Sequence, residues 1–284
     1  MDFVCHREWA QGESDSRSPA CEADVLPFDY GPLTAYFSVS FKAVCSTCIF
    51  ASDKYRGMQI LIMRSKAREN RFMLHVPFYA NTFGDGKQCF QVAMQSVIKY
   101  FLHRDVPLEY LDSVTGRTAG HQTWTPQIVP ALHDLGLKVH YYTKTDPKQL
   151  LDGEKFIRSH YGRDAKKIIS LTDIPVLVAS AKNLIRYGIY EVKVPTALEI
   201  HRHIIDGHLI LALLDWNKVK PQDSFYKGHM GVVTGFDANS FYFHHSGASD
   251  PTPNLQIRND IFMSAWNANG TDNDLVVVYG KIGS

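Results

Sequence analysis

The chain has 284 residues, with 30 Lys and Arg against 29 Asp and Glu, for a net charge of +1. That balance offers no basic footprint for nucleic acid and no reason to expect an anionic membrane surface as a partner. Hydrophobic residues make up 45% of the chain, enough for an ordinary globular core, and no run approaches the ~20 apolar residues of a membrane span.

In chain order, residues 1–72 differ from the rest. Residues 8–24 are polar and without period, which predicts low order. Residues 32–50 read as a strand or hairpin with no evident partner, and Lys42 with several Ser and Thr breaks their apolar run. Cys45 and Cys48 have CxxC spacing. Without a second such pair they carry neither a zinc site nor a redox pair, so coincidence is the better reading. Met73 opens the well-patterned region. We therefore read residues 1–72 as an N-terminal extension of low order, or as sequence upstream of the native start, and residues 73–284 as the domain.

The domain is organised around residues 75–102. An extended run leads into a Gly- and Asp-containing loop and then a helix whose apolar and small residues are Cys89, Val92, Ala93, Val97, Tyr100 and Phe101. That is close to the i, i+3, i+4, i+7 pattern of one helix face. The other four cysteines lie in the first 48 residues, so Cys89 has no partner within the domain. It is either a buried small hydrophobe or a working thiol. Its place in the first turn of a helix is expected to favour the thiolate, and the free N–H groups there can receive an oxyanion.

A short helix ending at Gly116 follows. The next is expected to have Thr125 as N-cap, Pro126 in its first turn, and its end at Gly136. Residues 137–143 alternate as a strand. Helical pieces are predicted over 146–162, 164–171 and 175–188, a short strand at 192–194, and a helix over 197–206 closed by Gly207. Strands then take over, at 208–216, 228–236 and 241–245, the last two joined by a turn at 237–240. A helix at 259–266 and a strand at 275–281 complete the pattern. Helices first and strands after predict an α+β domain: a helical subdomain against an antiparallel sheet, with a cleft between them.

A nucleophilic cysteine wants a base, and the base wants an orienting partner. Among 13 histidines, His229 has the telling position, at the start of a Gly-flanked strand. The hairpin returns through His244, His245 and Ser246 to the same end. A zinc site made of Cys89, His229, His244 and His245 is disfavoured, because adjacent strand residues face opposite ways. No metal and no cofactor are expected. His201, His203 and His208 read as a solvated helix end, and Trp216 and Trp266 as core or rim aromatics.

The order VPFYANT, QCFQVAMQSVIKYF, an Ile-Asp-Gly-x-Leu-Ile strand, then GHMGVVTGFDANSFYFHHSG resembles the double-glycine leader (bacteriocin-processing) peptidase branch of the papain-like cysteine peptidases, over about residues 74–282. The resemblance implies a papain-like fold with Cys89 as nucleophile and His229 as general base and acid. The family's oxyanion-hole Gln, six residues before its Cys, falls on Phe83 here. Asn81, eight residues before Cys89, takes that role in our reading, with Gln88 as the second candidate. His245 stands where the family has Asp, and Asp215 and Asp237 are the alternatives for that third role. Phe90 replaces the usual glycine after the nucleophile.

The expectation is a stand-alone cytosolic thiol hydrolase acting on an amide bond of a peptide or protein substrate. Its alternatives are a non-catalytic peptide-binding module on the same fold, or an amidase, deamidase or acyltransferase using the same Cys/His pair. Nothing in the sequence bears on oligomeric state.

Overall fold

The computed structural model describes residues 71–82, 84–221 and 226–283. The readings placed on residues 1–70, the Cys45/Cys48 pair included, lie outside the described residues. The elements in order are β1 (Phe72–Met73), α1 (Cys89–Leu102), α2 (Leu108–Thr115), α3 (Thr125–Asp134) and β2 (Leu137–Thr143). A 3₁₀ turn at Pro147–Asp152 leads to α4 (Glu154–Tyr161), α5 (Ala165–Ser170) and α6 (Ile174–Tyr187). Then come β3 (Tyr190–Val192), α7 (Ala197–Ile205), β4 (Leu209–Asp215) and α8 (Trp216–Val219). The chain closes with β5 (Gly228–Phe236), β6 (Ser240–His245), β7 (Thr252–Arg258), α9 (Asn259–Trp266) and β8 (Leu275–Lys281).

The fold is α+β with a mostly antiparallel sheet. Its strand order is β3-β2-β8-β4-β5-β6-β7, with β1 added to β5 through Phe72–Phe236 and Met73–Gly235; β2 and β3 alone run parallel. β4 sits centrally and is buried at all seven positions. Its unbroken apolar run follows, because both faces are covered. Leu209, Leu211 and Leu213 join the core under α1 and α3, together with Met94, Ile98, Ile128 and Leu132. Ile210, Ala212 and Leu214 join the opposite core with Phe241, Phe262 and Trp266. The period of two along one strand thus divides the two layers. A third cluster, containing Phe156, Ile157, Leu177 and Ala181, holds α4 to α6 together.

Several sequence expectations need correction. Thr125 is the first residue of α3 rather than its cap; the N–H of Trp124 is satisfied by the Gln127 side chain, and the Thr125 hydroxyl donates to Asp274 instead. β7 was not anticipated; as an edge strand it tolerates Pro253. His201, His203 and His208 are not a solvated end. His201 stacks on Phe236 with centroids 4.0 Å apart, and His203 and His208 pack on Tyr279. Among the described residues no single helix is long and apolar enough to cross a membrane. The one pair that qualifies jointly, α4–α5 with α6, is bent by 116°, and α6 has Leu177, Ala181 and Leu184 fully buried in the body.

Candidate functional site

Cys89 is the first residue of α1, and the loop before it is pinned from the outside. The Asp85 carboxylate accepts from the N–H of Lys87 and of Gly120 and from the Arg117 guanidinium, at 3.0, 2.8 and 2.6 Å. Burial pushes the Asp85 carboxyl up, but these donors outweigh it and hold the group at about 2. The Arg117 side chain is only 3% exposed and also reaches Asp112 at 3.2 Å. Gln88 donates to the same Asp112 carboxylate at 2.7 Å. Gly84 has φ +75°, and a Cβ there would lie 2.3 Å from Oε1 of Gln88. The turn into the helix therefore requires glycine.

This anchoring turns Gln88 away from Cys89. Asn81 comes to it instead: it is 1% exposed and shares a cavity wall with Cys89. Its N–H donates to the Ser246 carbonyl at 2.8 Å and its Nδ2 to the Gly86 carbonyl at 3.0 Å. Its Oδ1 is buried with no hydrogen-bond partner.

At Cys89 burial opposes the thiolate that the helix N-terminus was expected to favour. Burial raises the thiol above its ordinary value, and the N–H groups of Met230, Phe90 and Cys89 offset this only in part. A charge removed from water costs more than the dipole of one helix returns. The thiol lies against the N–H of Met230, the residue after His229.

His229, second in β5, and His245, last in β6, are joined Nε2 to Nδ1 at 3.0 Å. Nε2 of His245 meets the Asp250 carboxylate at 2.8 Å, and Asp250 also pairs with Lys220. The proton positions follow from chemistry. A carboxylate only accepts, so Nε2 of His245 carries a proton. In the neutral ring Nδ1 is then the acceptor, so Nε2 of His229 is the donor. That leaves Nδ1 of His229 with the basic lone pair. Trp216 stacks flat on His245, with centroids 3.9 Å apart and 12° between planes, and touches His229 at 4.9 Å. A Cβ on Gly247 would lie 2.4 Å from the His245 ring, so the glycine admits the ring. Burial, then the neighbouring His245 and Lys227, hold His229 down at about 3. The Lys220 ammonium and His245 hold Asp250 at about 2.

The other candidates stand elsewhere. His244 faces the opposite side, donating to the Val76 carbonyl at 3.0 Å and accepting from the Asn254 N–H at 3.1 Å. Asp215 caps α8, accepting from the N–H of Asn217 and of Lys227. Asp237 follows the far end of β5 and accepts from the Tyr242 hydroxyl. Neither aspartate has a hydrogen bond to His229. No group of three or more His, Cys, Asp or Glu among the described residues is arranged to hold a metal ion.

Asn81, Cys89, His229, His245 and Asp250 all line one cavity of about 380 Å³, within the range of small-ligand and peptide sites. Sequence reasoning missed Asp250, Lys220 and the stacking role of Trp216. The available signal was an aspartate five residues beyond His245, in a Gly- and Ser-containing loop.

A protein-family model described as guanylylate cyclase matches residues 87–278. No curated protein matches. Similar solved structures include a C39-like peptidase from Bacillus anthracis, at 10% identity and TM-score 0.46, covering 74% of this chain and 98% of that one. The peptidase domain of Streptococcus ComA, a bifunctional ABC transporter of a quorum-sensing pathway, follows at 15% and 0.39, covering 74% and 99%. A double-glycine-motif protease from an AMS/PCAT transporter, solved with its leader peptide, stands at 12% and 0.38, covering 74% and 96%.

Proposed function

The chain belongs to the guanylylate cyclase family, and from the geometry of its site we propose that it is a thiol hydrolase of papain-like fold, with the cavity as its active-site cleft. The observation that carries this reading is the chain of hydrogen bonds from His229 through His245 to Asp250, in the cavity that Cys89 also lines. The position where the resembled family has Asp holds His245, and a neutral imidazole brings no charge. Asp250 supplies that charge one residue further out.

Burial favours the neutral forms of the Cys89 thiol and the His229 imidazole. The thiol proton therefore moves to Nδ1 of His229 as Sγ attacks the acyl carbon. The C–N bond then breaks, and His229 returns the proton to the leaving amine. Water, deprotonated by His229, releases the acyl group from sulfur. The N–H of Cys89 and Nδ2 of Asn81 hold the oxyanion. A peptide or protein is the expected substrate. With ammonia as leaving group the same steps are a deamidation, and with an amine in place of water they are an acyl transfer. A free thiol nucleophile suits a reducing compartment such as the cytosol.

The family description favours a second reading, cyclisation of GTP to cyclic GMP with release of pyrophosphate. One preparation tests both. A peptidyl-aminocoumarin library reports amide hydrolysis, and cyclic GMP is quantified after incubation with GTP and a divalent cation. The hydrolase reading predicts coumarin release that is lost in Cys89→Ala and His229→Ala. Cyclic GMP formation that survives Cys89→Ala would replace it with the cyclase reading. Peptides that bind without turnover would make the domain a non-catalytic peptide binder.

A further inference from the structure

The cavity extends from Cys89 to a second wall that the thiol chemistry does not use. Trp124, Tyr161 and Tyr226 stand side by side there, with centroids 5.9 and 6.0 Å apart along the row. Asp272 and Asp274 line the same end. Asp272 accepts from the Thr145 hydroxyl at 2.7 Å and meets His160 at 2.8 Å. Asp274 is 6% exposed and accepts from the hydroxyls of Thr125 and Tyr141. Among the described residues Asp274 has no cationic partner within ion-pair distance.

We infer that this end of the cavity is a subsite for an organic cation, so that the substrate presents an ammonium or guanidinium group beside the bond that Cys89 attacks. A buried carboxyl with hydroxyl donors but no counter-ion gains most from a desolvated cation. The three aromatic rings line the same end of the cavity, and aromatic side chains attract a desolvated cation. Burial and the nearby Asp272 hold Asp274 up at about 7, so a bound cation would draw it into the charged form. Tyr226, both acids and Cys89 line one cavity of about 380 Å³. Asn81, at the nucleophile end, lines the same cavity. Lys87 and Lys227 line the cavity too. Lys87 is turned outward to the Gly120 carbonyl.

The inference rests on the hydrolase reading for its substrate, but it is tested without turnover. The full chain is treated with methanethiosulfonates bearing a trimethylammonium, a neutral methyl or a sulfonate group. Modification of the Cys89 peptide is followed by mass spectrometry. The cation-to-anion rate ratio at Cys89 should exceed that of free cysteine by about tenfold or more. It should collapse toward the free-cysteine ratio in Asp274→Asn and, as a second variant that spares the Thr125 and Tyr141 bonds, in Asp272→Asn. A ratio equal to that of free cysteine, or one that both variants retain, overturns the subsite. Absence of coumarin turnover beside a high ratio would instead remove the hydrolase reading and leave a cation-binding cavity.

Discussion

Asp250→Asn tests the relay most sharply, because the amide keeps the shape and removes the charge. Asp250 is joined to His245 at 2.8 Å and His245 to His229 at 3.0 Å. With about 2 Å across the intervening ring, the carboxylate lies about 8 Å from the ring that becomes charged. At an effective dielectric of about 20, one unit charge at that distance stabilises an imidazolium by about 2 kcal/mol. The Asp250 side chain is 42% exposed, so solvent screening reduces this to about 1 kcal/mol. The expected loss in kcat is then about five- to tenfold with KM little changed, measured by steady-state coumarin release. The amide can also donate to Nε2 of His245 and reverse both tautomers, which deepens the loss. An unchanged kcat would refute the relay. A fall in Tm that accounts for the whole effect would make Asp250 structural.

Trp216→Leu removes the flat stack on His245 and should lower kcat about tenfold while the domain stays folded, as circular dichroism would show. Gly247→Ala should do similar harm, since its Cβ meets the His245 ring; full activity would show that the ring is not held there. Alkylation of Cys89 by iodoacetamide should follow an ionisation above the ordinary thiol value, and a rate already maximal at pH 6 would restore the thiolate expectation. Arg117→Met strands the Asp85 and Asp112 carboxylates and should cost about 3–5 kcal/mol in denaturant unfolding. Asp274 has its folded pKa raised to about 7 from 3.8, so its contribution to stability is complete below pH ~4 and is lost as pH rises toward 7. Asp274→Asn should therefore be more stable relative to wild type at pH 8 than at pH 4, as thermal unfolding at the two pH values would show.

Much of the fold was legible because the sequence pattern and the burial agree. The helix at Cys89, the strand at Gly228–Phe236 and the helix at Asn259–Trp266 fall where their periodicity puts them. β4 read as buried because every residue is apolar up to Asp215. The hairpin alternation that separated His244 from His245 is obeyed, and His245 reaches His229 while His244 turns to Val76. What stayed hidden is long-range. The balance between helix dipole and burial at Cys89 depends on how much protein covers the thiol, which no local pattern records. Thr125 looked like a cap because its true partner, Asp274, lies 149 residues away. Asp250 sits in an irregular loop whose path only the packing of Lys220 and His245 determines.

In the proposed mechanism the Cys89 sulfur carries the acyl group. The direct measurement is rapid quenching of the full chain with its best coumarin substrate, followed by peptide mass spectrometry. An acyl adduct on Cys89 should form as coumarin is released, and Cys89→Ala should release none. Coumarin release with Cys89 unmodified, or undiminished turnover by Cys89→Ala, would contradict it.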